Sequence, residues 1–275
     1  MKRALILSCI LLSQHIYGQH IVNRGNIWNL ETKNALYQLR IDNGRAYPTY
    51  FGNIAAASAD HAQDRIRPNN PHALDEIPVR GSFADKMPVV EAVFPDGVRD
   101  IELKIDEISV QTIDGKETLV IETSDRHYPL AVTQYISAIP DCDMFEKWIT
   151  VTNTSKSKKS DIKIENLLSG SLYMTPARYF LTHHSGQWLR EFGHRKTELT
   201  GGIKTLQSRD FMTFANTPWA MISTPDDTGV WYIQVQYSGN WRLDIEQTHN
   251  GSLQIVGGIN FWDTALNLSP GQSHT

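Results

Sequence analysis

The sequence predicts an all-β protein, a large antiparallel β-sandwich, on three observations. Apolar and polar residues alternate with period two over many short runs; those runs are separated by turn-forming Gly, Asn, Asp and Pro; and no segment carries a sustained helical stripe with caps. An extended chain points successive side chains to opposite faces, so each alternating run has one face suited to a core and one suited to water. Two such sheets stacked face to face are the simplest way to bury the apolar sides. With 275 residues and 40% hydrophobic content, the chain can hold a large core by packing alone.

Taken in order, the first strong run is Ile101-Glu102-Leu103-Lys104-Ile105, answered after the Asp114-Gly115 turn by Thr118-Leu119-Val120-Ile121-Glu122. Asp-Gly between alternating runs is a hairpin signal, because both residues tolerate the positive φ that a tight β-turn needs. Further runs lie at Leu130 to Ser137, Met144 to Thr152, Asp161 to Leu168, Val230 to Tyr237, Trp241 to Gln247 and Ser252 to Val256. The last three read as a meander of two successive hairpins. Lys156-Ser157-Lys158-Lys159 reads as a solvated hairpin tip. Gly52 to Pro88 breaks the pattern with Ala55-Ala56-Ala57 and Pro68-Asn69-Asn70-Pro71, and reads as a long irregular excursion of the functional or poorly ordered kind.

The first residues read as an export signal: Lys2 and Arg3, an apolar run from Ala4 to Leu12, and a small-residue exit at Tyr17-Gly18. Residues 1–18 are therefore expected to be removed, leaving a domain of residues 19–275 in the periplasm or outside the cell. A lipid anchor on Cys9 would leave only Leu5 to Ser8 as apolar core, which is short. The apolar run is also too short to span a bilayer, so no membrane association is expected after cleavage. The remaining cysteine, Cys142, sits between Asp141 and Asp143, a setting that disfavours a thiolate, and is expected as a small buried hydrophobe. A net charge of −4 supplies no basic field, which argues against a nucleic-acid partner.

Glycosidic hydrolysis needs two carboxyl groups flanking the scissile bond. Asp244 and Glu246 share a strand face at i, i+2, but that is also the pattern of a solvent-facing strand, and the simpler reading is preferred. Adjacent strand residues point apart, so His183 and His184 do not make a metal pair, and neither a metal site nor a cofactor is expected. Trp188, Trp219, Trp231, Trp241 and Trp262 are many tryptophans for one sandwich. Aromatic faces stack on the apolar faces of sugar rings, yet buried area makes core packing the expected role of any single one.

Several stretches occur together in an informative order: Arg126-His127-Tyr128-Pro129-Leu130-Ala131-Val132-Thr133, Pro140-Asp141-Cys142-Asp143-Met144-Phe145-Glu146-Lys147-Trp148, Leu181 to Phe192 with its His183-His184-Ser185-Gly186-Gln187-Trp188-Leu189-Arg190-Glu191, Tyr237-Ser238-Gly239-Asn240-Trp241 and Gly257-Gly258-Ile259-Asn260. In these the chain resembles the N-terminal β-sandwich, or supersandwich, of glycoside hydrolase family 36, the large microbial α-galactosidases. The resemblance implies an accessory domain beside a (β/α)-barrel that carries two catalytic aspartates and cleaves terminal α-linked galactose. No Lys-Trp-Asp nucleophile motif occurs here, and the chain stops soon after Leu268-Ser269-Pro270-Gly271, where the family passes toward its barrel. It is therefore expected to be a truncated form, inactive alone, with the barrel or a neighbouring subunit as partner and α-galactosides as ligands.

The resemblance also implies an irregular loop that reaches a neighbouring subunit's galactose site through an Asp and an Arg. That loop corresponds to Gly52 to Pro88, which makes Asp64, Arg65 and Lys86, together with Trp188, the substrate-binding candidates. The family pattern Gly-x-x-Asp-Phe-Arg-x-Pro reads Gly81-Ser82-Phe83-Ala84-Asp85-Lys86-Met87-Pro88, and Ser-Arg-Arg-Gly reads Ser208-Arg209-Asp210-Phe211. An ammonium at Lys86 lacks the bidentate geometry of a guanidinium. The alternative to an accessory domain is a stand-alone secreted carbohydrate-binding module, and a third reading is a purely structural protein. The first requires an exposed apolar face where a barrel would dock, the second a polar surface with a few exposed aromatics.

Overall fold

The computed structural model describes residues 20–57, 75–81, 86–209 and 215–275, so the expected export signal, Asp64 and Arg65 lie outside the described residues. Within them the chain is all-β, its named strands paired antiparallel apart from one isolated parallel bridge between Val79 and Val90, with two short 3-10 turns and no α-helix. None of the described elements is a helix long and apolar enough to cross a membrane. The strands form four hydrogen-bonded sheets, which corrects the two-sheet expectation.

The first sheet holds β1 (Ile21–Arg24), β2 (Ile27–Glu31), β3 (Ala35–Asp42) and β4 (Arg45–Asn53) in sequence order. A five-stranded sheet follows with β6 (Leu103–Ile113), β7 (Lys116–Asp125), β8 (Leu130–Ile139), β9 (Met144–Asn153) and, at the edge of β9, β19 (Ser273–His274). The six-stranded sheet is ordered β13-β16-β17-β10-β18, from β13 (Gly202–Gln207), β16 (Trp241–Gln247), β17 (Leu253–Ile259), β10 (Ile162–Met174) and β18 (Leu266–Leu268), with β5 (Val90–Val93) also pairing β10. The fourth sheet is ordered β12-β11-β14-β15, from β11 (Phe180–Gln187), β12 (Arg190–Glu198), β14 (Trp219–Ser223) and β15 (Val230–Gln234).

The β6–β7 hairpin turns where the sequence places it, with Asp114 and Gly115 at φ 50° and 77°, the left-handed pair that suits a two-residue turn. The expected C-terminal meander is half right. β16 and β17 pair as a hairpin, whereas β15 pairs β14 in a different sheet, and Val235 to Asn240 carry the chain across. Alternation defines which face of a strand is apolar but not which strand it pairs with, and here the buried Val235 donates its N–H to the Pro218 carbonyl at 2.8 Å instead. Lys156 to Lys159 are exposed, as expected, but they join β9 to β10 between two sheets and are not a hairpin tip.

Three apolar clusters tie the sheets together. Leu119 and Ile121 of β7 and Ile136 of β8 meet Ile21, Leu30, Tyr37 and Leu39 of the first sheet. Farther along the same face, Leu130, Val132, Ile149 and Val151 meet Val90, Ala92, Ile162, Ile164 and Leu268. The third cluster lies between the β13-β16-β17 side and the fourth sheet, around Leu181, Ile222, Trp241, Leu243 and Ile245. The long β10 takes part in more than one core because bulges between Ile164 and Asn166 and between Leu168 and Gly170 reset which side chains face which layer.

At the seam between the first two clusters sits a buried ionic node. Lys147 of β9 donates to Glu76 Oε1 at 2.5 Å, to Tyr37 Oη at 2.7 Å and to the Ser171 carbonyl at 2.9 Å, with its ammonium 4.3 Å from the Tyr37 ring centre. Tyr37 Oη donates in turn to Glu76 Oε2 at 2.5 Å. Burial pushes the Glu76 carboxyl up and the Lys147 ammonium down, and their direct contact opposes both. Next to it, Asp75 pairs with Arg45 at 3.3 Å, both side chains nearly buried. A cavity of about 20 Å³, room for one water, lies against that pair. Burial raises Asp75 to about 7, against the lowering effect of Arg45, Lys86 and Lys104.

Because Asp75 holds its proton more tightly folded than unfolded, the stability linked to it is full below its ordinary value of 3.8 and is lost as pH rises through about 7. Urea midpoints should therefore fall between about pH 5 and pH 8 for the native chain, and Asp75→Asn, which mimics the protonated acid, should flatten that dependence. An equally steep fall in the variant would refute the assignment.

Candidate functional site

The exposed apolar side chains of the fourth sheet mark the most unusual surface. β11 is central and well covered, with Leu181, Thr182 and His183 buried. β12, in contrast, is open on both faces along nearly its whole length. The β11–β12 connection and the start of β12 carry Trp188, Leu189 and Phe192 at 67%, 80% and 65% exposure, flanked by the exposed Arg190, His194 and Arg195. Large side chains so far into water are unfavourable for an isolated surface and mark an interaction site.

The hairpin is also conformationally specified. Leu189 and Phe192 adopt φ 64° and 58°, the left-handed region that a side chain with a Cβ enters at a cost. At Gly186 a Cβ would sit 2.5 Å from the Arg190 carbonyl oxygen, and at Gly193 2.8 Å from that of Ser185, so only glycine permits this close crossing. The register slips between Ser185 and Gln187, and the Leu189 N–H is held by Glu191 Oε1 at 3.0 Å. The Gly, Trp and Glu of this segment thus shape a rigid, apolar-tipped arm.

His183 and His184 do point to opposite faces. His183 is buried, its basicity lowered by that burial, while His184 lies on the outer face with its ring 4.8 Å from Trp219, 6.2 Å from Phe192 and 6.2 Å from His194. Trp219 lies 5.9 Å from Tyr232 at 29° between planes. The tryptophans divide: Trp241 is buried at 1%, Trp231 packs at the third cluster, and Trp188 and Trp262 are exposed. The Arg209 guanidinium lies over the Trp262 ring at 3.2 Å.

Of the four substrate-binding candidates, Trp188 and Lys86 are described. They lie in different parts of the fold: Trp188 is on the arm, and Lys86 is half-buried over the Tyr173 ring at 4.4 Å. The neighbouring Met87 is clamped by Gln254, whose amide accepts from the Met87 N–H and donates to its carbonyl, both at 2.8 Å. That crossing covers the face of β17 that alternation assigns to water. Asp244 is accordingly not a solvent-facing carboxylate. It is 2% exposed, pairs with Arg242 at 2.5 Å and accepts from Thr205 Oγ1 at 2.5 Å. Cys142 is a second correction: it is exposed at the end of the Pro140–Cys142 turn, where Asp143 at φ 52° reverses the chain. Among the described residues no group of three or more His, Cys, Asp or Glu could hold a metal ion.

The arm's geometry makes a directional prediction. Leu189→Gly removes a left-handed penalty and should raise stability by up to about 1 kcal/mol. Gly186→Ala should lower it by roughly 1–3 kcal/mol, because its close neighbours are backbone atoms. Urea unfolding of both variants checks the pair, and equal shifts of one sign would contradict the description of the tip.

Known proteins place this architecture. Residues 14–269 match the family model of the glycosyl hydrolase family 36 N-terminal domain. The chain is 26% identical over 223 residues to alpha-galactosidase AgaA of Geobacillus stearothermophilus, covering 73% of this chain and 30% of that protein. It is 26% identical over 163 residues to alpha-galactosidase C of Emericella nidulans, covering 58% and 21%. Among solved structures, the family 36 alpha-galactosidase AgaB of Geobacillus stearothermophilus superposes with a TM-score of 0.83 at 20% identity, over 93% of this chain and 40% of that one. The alpha-galactosidase of Lactobacillus brevis gives 0.79 at 23%, over 90% and 38%. The chain thus spans well under half the length of each of these proteins. With a family match over nearly its whole length, it belongs to the glycosyl hydrolase family 36 N-terminal domain family.

Proposed function

We propose that this chain works as the accessory N-terminal part of an enzyme acting on α-linked galactosides, exported to the periplasm or cell exterior, with its sheets layered as a supersandwich beside a catalytic (β/α)-barrel. The observation that supports this most is the arm. Trp188, Leu189 and Phe192 are exposed together at the tip of a hairpin whose second strand is open on both faces, and Arg190 and Arg195 stand beside them. Tryptophan and arginine around an apolar centre are the side chains that dominate protein interfaces. In this reading the arm docks on the barrel. Trp188 at its tip, and Lys86, Asp64 and Arg65 from the irregular segment, contribute to the sugar site of the barrel or of a neighbouring subunit.

Catalysis is assigned to the barrel, since the buried carboxylates Asp75, Glu76 and Asp244 are already engaged with cations. Asp244 is paired with the partly exposed Arg242, Glu76 with the largely buried Lys147, and Asp75 with Arg45. The isolated chain should leave an α-galactoside intact. Grafted in place of the N-terminal domain of the Geobacillus stearothermophilus enzyme, it should support hydrolysis, and Trp188→Ser with Leu189→Ser in the graft should lower activity by about tenfold or more. Turnover by the isolated chain, or a graft indifferent to both substitutions, would contradict the proposal.

A further inference from the structure

The fourth sheet has a second unusual face. Leu181, Ala220, Ile222, Trp231 and Ile233 point inward and supply the core against β16 and β17. Alternation leaves the opposite face to water, and a surface of that kind is ordinarily polar. Instead it carries, strand by strand across the middle of the sheet, Phe192, His184, Trp219 with Met221, and Tyr232 with Gln234. Tyr232 is 48% exposed, and His184, Trp219 and Met221 are half-buried.

The rings form one connected set across all four strands, from Phe192 through His184 and Trp219 to Tyr232, at centroid separations of 6.2, 4.8 and 5.9 Å. Trp219 and Tyr232, on neighbouring strands, are tilted by only 29° from each other. The hydrogen-bonding groups sit at the ring edges: Tyr232 Oη donates to Gln234 Oε1 at 2.9 Å, a bond between two exposed side chains that a ligand hydroxyl can join or replace. At the Phe180 end of the sheet the charged groups are already neutralised in pairs. Lys196 meets Asp227 at 2.8 Å, and Arg178 meets Glu198 at 2.8 and 3.0 Å.

A neutral aromatic surface edged by hydroxyl, amide and imidazole groups suits an occupant with one apolar face and a polar rim. A charged ligand would find no counter-ion in the centre, and a purely apolar one would bury the edge groups without partners. A pyranose ring has the required shape, with C–H bonds on one face and hydroxyls around its edge. We infer that the outer face of the β12-β11-β14-β15 sheet is a binding surface for neutral oligosaccharides, with Trp219 and Tyr232 as stacking platforms and Gln234 and His184 as hydrogen-bonding partners. This site adjoins the arm at Phe192, but its stacking platforms lie on β14 and β15, and Trp188 and Leu189 of the arm tip are not part of it.

Titration of the purified chain with raffinose, cellohexaose and polygalacturonate, followed by tryptophan fluorescence and calorimetry, tests it. At least one of the two neutral sugars should saturate at millimolar concentration, and Tyr232→Ala should weaken it by about tenfold. Tyr232→Phe, which keeps the ring, should weaken it less. Tyr135→Ala, removing a ring stacked on Trp148 in the five-stranded sheet, should leave binding unchanged. Absence of binding by both neutral sugars, binding of polygalacturonate alone, or equal loss in the Tyr232 and Tyr135 variants would overturn the inference. So would sugar-independent self-association that Tyr232→Ala abolishes, which would make the face a protein interface.

Discussion

The contact on which the arrangement of layers depends is the Lys147 ammonium. Its three hydrogen-bond partners come from a different part of the chain each: Tyr37 from the first sheet, Glu76 from the segment before β5, and Ser171 from β10. Lys147 itself is on the five-stranded sheet, between Phe145, which packs in one core, and Ile149, which packs in the next. A buried lysine without these partners would be strongly unfavourable, so the node selects the one stacking in which all of them converge. Gly170 makes room for it, since a Cβ there would stand 3.2 Å from Lys147 Cδ. Glu76 is further secured by its own backbone, its N–H bonded to the Ala46 carbonyl and its carbonyl accepting from Ser171 Oγ, both at 2.9 Å.

Function is built outward from that arrangement. The bulges of β10 let one strand serve the layer beside the ionic node and, at Leu172 and Met174, the core that supports the fourth sheet. A rigid inner face around Trp241 and Leu243 frees the outer face and the β11–β12 arm for contacts with other molecules. The arm is apolar at its tip and the sheet beside it aromatic, so one element offers two surfaces of different chemistry. A domain of this kind can contribute to a hydrolase without holding a catalytic pair itself.

The sequence made the strands of the central and C-terminal regions legible because alternation there is clean and the turns are chemically explicit, as at Asp114-Gly115. It was less informative where partnership depends on distant contacts. β15 carries a regular pattern yet joins β14, and Asp244 looks solvent-facing until Met87 and Gln254 are seen to cover the neighbouring strand. The first sheet escaped notice because Asn29, Gln38 and Thr49 interrupt its alternation with a polar ladder, bonded at 3.0 and 2.9 Å, whose register only the fold reveals. At the site, Trp188, singled out by its motif, is exposed against the expectation of core packing for any single tryptophan, whereas the opposed histidines could be read from strand geometry. The aromatic face could not, because Trp219 and Tyr232 meet only once β14 and β15 are paired, and Glu76 and Lys147 are 71 residues apart along the chain.

The most direct test of the node is a double-mutant cycle with Glu76→Gln and Lys147→Met, measured by urea unfolding at neutral pH. Either single change leaves a buried polar group without its counterpart and should cost about 3–5 kcal/mol, while the double variant should cost less than the sum by roughly 2 kcal/mol or more. Additive losses would show that the two side chains act independently, and the ionic node could not then be what aligns the sheets.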